Sequence, residues 1–225
     1  MQKRSDRGLV IIGVYNKPEL FLFCKSTLHF HLQEAGGNQL SYYVCCMNKP
    51  EVHYLPNGLC VLYVHHPDSP VAHCGLLIKA GTRDEEKGKE GLAHFIEHSL
   101  FKGTTHRKSY HILNRLEVVG GELNAYTTKE ETCLHASVMS RYFERAAELI
   151  ADVAFHSIFP VKEIEKEKEV ILDEIRAYQD TPYEQIFDDF EGQLFQGHSL
   201  GHPILGTEES LRAFKRKDLI DYIAR

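Results

Sequence analysis

Beyond residue 50, apolar and polar positions fall into short runs separated by turn residues. Residues 52–64 read as strand, turn, strand, with Pro56, Asn57 and Gly58 as the turn. Proline fixes its own φ, and asparagine and glycine tolerate positive φ. Residues 71–80 form another apolar strand, and 81–91 are charged and turn-rich. Residues 92–101 read as a helix stopped near Gly103, and 111–119 as a second short helix. Gly120 and Gly121 precede a strand at 122–127, a turn at 128–131 and a returning strand at 132–138. Residues 141–155 carry Tyr142, Ala146, Leu149, Ile150 and Val153 on one face, the spacing of an amphipathic helix. Pro160 opens a helix running to residue 179. A loop over 197–206 and two short helical stretches follow. Strands, helix, hairpin, helices in that order predict an α+β domain: a mostly antiparallel sheet with helices packed on one face.

Residues 1–46 sustain no period of 2 or 3.6. They suit either an atypical N-terminal extension ahead of a start at Met47 or an ordinary N-terminal arm. The expected division is therefore 1–46 as the atypical segment and 47–225 as the domain. Composition then excludes several classes. Hydrophobic residues at 43% and charged residues at 26% are ordinary globular proportions. The 26 basic and 32 acidic residues give a net charge of −6, which argues against a nucleic-acid partner. No apolar run approaches the roughly 18 residues that span a bilayer, so no membrane partner is expected. Six cysteines without a C-x-x-C pair predict reduced thiols, and no secretory cleavage site follows the N-terminus. The expected location is the cytoplasm.

Chemistry enters at His94-Phe95-Ile96-Glu97-His98. On a helix, positions i and i+4 stand one above the other, so both imidazoles can hold one zinc ion. Glu97 borders that face and can take a proton from an activated water without being a ligand. This is the inverted order of the H-E-x-x-H logic. The five residues alone equally suit two solvated histidines on a helix. A catalytic zinc needs a third protein ligand and an open position. In the helix from Pro160, positions 167, 171, 174 and 178 form one stripe. A carboxylate along an apolar stripe is costly to bury unless paired or metal-bound. That makes Glu174 the candidate third ligand, with Glu167 orienting ligands from behind. The bland alternative is a solvated acidic face, which suffices for Glu163, Glu165 and Glu169.

With these residues in view, the chain resembles the zinc peptidase family of pitrilysin, insulin-degrading enzyme and mitochondrial processing peptidase. The compact processing-protease-like members of bacteria are the most similar. Gly81 to Glu85, Gly91 to His98, Phe101 to Thr104, Gly120 to Thr127 and Glu167 to Glu174 carry the likeness. The resemblance implies a zinc-dependent endopeptidase with His94, His98 and Glu174 as Zn2+ ligands and Glu97 as general base. It also implies that Asn124 and Ala125 lie on an edge strand that takes an extended peptide or unfolded segment. Members of the family resemble a tandem of two similar halves. This chain matches most of the first half only, so a second half-domain in cis, or a partner subunit, is expected to complete it. The family's Arg/Tyr pair from the second half has no counterpart here. Two rival functions are a non-catalytic peptide-binding or scaffold subunit and a structural zinc site. The latter requires a fourth ligand, and none is evident.

Overall fold

The computed structural model describes residues 9–15, 50–66 and 69–224. Strands β1 (Leu9–Tyr15), β2 (Glu51–Tyr54), β3 (Cys60–His65), β4 (Val71–Ile78), β5 (Glu122–Thr127) and β6 (Thr132–Met139) form one sheet. Its order is β2-β3-β1-β4-β6-β5. Every neighbouring pair is antiparallel except β1 with β3. The α+β class with a mostly antiparallel sheet is therefore as expected.

β1 is the departure. A continuous apolar run carries no period of 2, so residues 9–15 show no alternation in the sequence, although such a run suits a strand inside a sheet. The strand nonetheless sits between β3 and β4 in the same sheet as the rest of the domain. The reading of Met47 as a start lies outside the described residues.

Alternation sets the register elsewhere. Ala72, Cys74 and Leu76 of β4 are buried and stand opposite Val138, Ala136 and Leu134 of β6, buried likewise. The intervening His73 and Ser137 bond to each other on the opposite face, Nδ1 to Oγ, at 2.8 Å. A one-residue slip would turn the buried set outward, so this pairing is strongly specified.

Helices α1 (Leu92–Leu100), α2 (Ser109–Glu117), α3 (Phe143–His156), α4 (Val161–Gln179), α5 (Pro182–Leu194), α6 (Glu208–Ala213) and α7 (Arg216–Ile223) follow. α3 packs on β4 and β6 through Phe143, Ala146, Leu149, Ile150 and Val153, all buried. Tyr142, expected inside this helix, stands in the 3₁₀ turn that precedes it. α5 has no counterpart in the sequence reading. Pro182 at its first turn marks its start, but none of its residues is buried.

α1 is held from several sides. Leu92, Ala93, Phe95, Ile96 and Leu100 are buried, and the Phe95 ring meets Phe214 edge-on at 5.5 Å. At its N-terminal end, Glu85 accepts hydrogen bonds from the backbone N–H of Gly91 (2.9 Å) and Ala93 (2.7 Å). Burial pushes the Glu85 carboxyl up to about 8, against the opposing pull of these bonds. Gly91, with φ +89°, caps the helix and lies against Gly206, with φ +75°. A methyl group on Gly206 would collide with the Glu90 carbonyl oxygen. Gly206→Ala is therefore expected to cost about 1–3 kcal/mol of stability, seen as a lower urea midpoint with unchanged slope. An unshifted midpoint would show that the loop yields freely.

Candidate metal centre

α1 presents His94 and His98 one turn apart, with ring centroids separated by 4.6 Å. α4 packs against α1 and brings Glu174 over both rings. Nε2 of His94 lies 3.9 Å from Glu174 Oε1, and Nε2 of His98 lies 3.6 Å from Oε2. The ligand atoms of these three residues all lie within 4.8 Å of one another.

α4 is anchored by Ile164, Ile171 and Ile175, all buried. It is Glu167, at 5% exposure, that is buried along the apolar stripe. Glu174 is exposed, so the burial cost anticipated from the sequence does not apply to it, yet it remains within reach of both imidazoles. Glu167 Oε1 accepts a hydrogen bond from His98 Nδ1 at 3.0 Å, and its Oε2 pairs with Lys102 Nζ at 2.6 Å. Burial alone would raise the Glu167 pKa, but the bonds from His98 and Lys102 outweigh it and hold the carboxyl below its usual range. An ionised Glu167 fixes the His98 ring so that Nε2 faces Glu174.

The two histidines differ electrically. Burial, reinforced by the charge on His98, lowers the His94 pKa to about 3. Its ring stays neutral, the form that ligates metals. Burial would also lower His98, but the bond to Glu167 and the charges of Glu174, Glu167 and Glu97 raise it overall. The same negative field attracts a cation. Glu97 is half-buried beside β5. Burial raises its pKa, the Thr127 hydroxyl and His98 oppose the rise, and the Glu174 charge adds to it.

The donor set fits zinc. The contacts of 3.9 and 3.6 Å are too long for hydrogen bonds. Ligand atoms around a tetrahedral zinc, with bonds of about 2.0–2.2 Å, stand roughly 3.3–3.6 Å apart. His94 Nε2 faces Glu174, and the ring's other nitrogen, Nδ1, is buried without a hydrogen-bond partner. Among the described residues no fourth His, Cys, Asp or Glu joins the three, so an ion held by them would keep room for a water or substrate.

Asn124 and Ala125 lie on β5 at the edge of the sheet, beside α1. Asn124 is exposed and its Oδ1 accepts the Ala125 N–H at 2.8 Å. Among the described residues, β5 pairs only with β6. Lys102, Glu85 and Thr127 were not singled out by the sequence. Lys102 could have been, because it continues the spacing of His94 and His98 by four more residues.

Residues 60–208 match the family model described as Insulinase (Peptidase family M16). Over 167 residues the chain is 37% identical to an uncharacterized zinc protease of Bacillus subtilis, covering 74% of this chain and 41% of that protein. Over 196 residues it is 39% identical to the beta subunit of the Bos taurus mitochondrial-processing peptidase, covering 84% of this chain and 39% of that one. The crystal structure of a protease from Helicobacter pylori superimposes with a TM-score of 0.74 at 25% identity, over 78% of this chain and 43% of that one. The chain thus spans about two fifths of the length of the curated relatives it matches. No helix among the described residues is long and apolar enough to cross a membrane.

Proposed function

The chain belongs to the insulinase family of peptidases, peptidase family M16, and from that membership we propose a zinc-dependent endopeptidase domain that cuts extended peptides or unfolded segments. The observation that carries this reading is the convergence of both His Nε2 atoms on Glu174, with Glu97 on the same helix. His94, His98 and Glu174 would hold the ion. Zinc at that position supplies Lewis acidity, which makes a water acidic and a peptide carbonyl electrophilic.

The remaining steps fall to the chain's own side chains. Glu97 takes the proton from the attacking water and returns it to the leaving amine. Its burial raises its proton affinity, which suits both transfers. Glu167 and Lys102 hold the His98 ring in register. The outer edge of β5 offers main-chain groups to an extended peptide, with Asn124 and Ala125 alongside the scissile region. The domain is assigned to residues 47–225 with the β1 strand added to its sheet. A second half-domain in cis, or a partner subunit, completes the substrate site.

Two experiments test the reading. A metal chelator should abolish cleavage of a quenched extended peptide by the intact protein, and added zinc should restore it. Cleavage that survives chelation would remove the metal from the mechanism. Zinc uptake without any cleavage would instead favour a peptide-binding subunit. Glu167→Gln should weaken zinc affinity or turnover by about 10–100-fold, because the residue orients a ligand without being one. Unchanged affinity and turnover would make Glu167 a packing residue only.

A further inference from the structure

A second grouping of possible ligands stands apart from the residues described above, where the loop after α1 meets the end of α3. His106, Asp152 and His156 present ligand atoms that all lie within 4.8 Å of one another. We propose that these three residues form a second, peripheral site for a divalent transition-metal ion of the zinc type. No residue of the α1–α4 centre takes part in it.

Asp152 organises the grouping. Its side chain is only 4% exposed, and its two oxygens have separate surroundings. Oδ2 accepts from Thr104 Oγ1 at 2.9 Å and from Arg107 NH1 at 2.5 Å. Oδ1 faces the two imidazoles, with His106 Nδ1 at 2.6 Å and His156 Nδ1 at 3.2 Å. The carboxylate is therefore pinned through Oδ2, while Oδ1 takes the imidazole nitrogens, whose bonding proton an ion would replace. Its pKa falls to about 2: burial opposes the drop, but the bonds from His106, Arg107 and Thr104 prevail. Arg107 does not leave the site strongly positive, because its other arm pairs with Glu148 at 2.6 Å.

The two histidines come from segments fixed to each other by backbone bonds. Thr105 N donates to the His156 carbonyl at 2.9 Å, and Ile158 N donates to the Gly103 carbonyl at 3.1 Å. Thr104 and Ser157 form an isolated β-bridge between them. The rings meet edge-on, with centroids 4.6 Å apart and planes at 80°. Ligand atoms on a tetrahedral zinc stand roughly 3.3 Å apart, so His106 need withdraw by less than about 1 Å to admit the ion. Both rings are about half exposed, which gives the ion an entry path and leaves its remaining positions to water. Two imidazoles and one carboxylate suit zinc, nickel or copper better than calcium or magnesium. Bound there, the ion ties the loop after α1 to the end of α3.

The test counts zinc equivalents. The metal-stripped protein is titrated with zinc and followed by native mass spectrometry and calorimetry. Wild type is expected to take up one equivalent more than the His106→Ala/His156→Ala double variant. Glu174→Gln is expected to lose a different equivalent and to keep this one. Both histidines are exposed, so the double variant should fold, and an unchanged far-UV spectrum checks this. Asp152→Asn in the wild-type background should lower the zinc affinity of the equivalent lost in the double variant at least about tenfold. Equal zinc uptake by wild type and the double variant would overturn the proposal. So would loss of the same equivalent in Glu174→Gln and in the double variant.

Discussion

Glu97→Gln is expected to reduce peptide hydrolysis by the intact protein by about 10²–10⁴-fold while zinc content stays at the wild-type level. Glutamine matches glutamate in shape but cannot accept the proton from water. Glu97 is not one of the three residues grouped around the proposed ion, so the ion should remain. It is half-buried on α1, beside β5, close enough to feel both the Thr127 hydroxyl and the Glu174 charge. The loss corresponds to about 3–5 kcal/mol of transition-state stabilisation. Peptide turnover and zinc content measured on the same preparation decide the matter. Turnover within about threefold of wild type would strip Glu97 of its role as base. Loss of zinc together with turnover would make it a structural support of the ligands.

The largest effect on stability should follow Phe95→Ala. Phe95 is fully buried and packs edge-on against Phe214, the residue that follows α6. Truncating a buried phenylalanine typically costs about 3–5 kcal/mol, because the cavity collapses only partly. Here the cavity would open beneath the helix that carries both proposed imidazole ligands. Denaturant unfolding should show a lower midpoint at unchanged slope. Weaker zinc binding should accompany it, since the His94 and His98 rings lose their rigid support. A loss below about 1 kcal/mol would mean that Phe95 is not a core residue of this domain.

The helix face holding His94, Glu97 and His98 was legible because a spacing of four assigns residues to one side of a helix from the chain alone. The distant Glu174 was legible only as a stripe position. The stripe put Glu167 and Glu174 on one face of α4, but burial falls on Glu167 and not on Glu174. Periodicity identifies a face and says nothing of how far a neighbouring helix overhangs it. β1 was missed because a fully apolar run has no alternation to detect. α5 was legible but not read: Tyr183, Ile186, Phe187 and Phe190 follow Pro182 at helical spacing, although all four are exposed in the fold. The grouping of His106, Asp152 and His156 joins a loop to the end of a helix some 50 residues on. The β-bridge between Thr104 and Ser157 and the bonds of Thr104 and Arg107 to Asp152 bring them together, and no local spacing announces such a contact.

Zinc stoichiometry of wild type beside Glu174→Gln tests the proposed centre most directly. With the peripheral equivalent removed by His106→Ala/His156→Ala, the protein should bind one zinc ion tightly, and adding Glu174→Gln should abolish that binding while the fold persists. Undiminished tight binding in the triple variant would mean that His94, His98 and Glu174 do not share a metal.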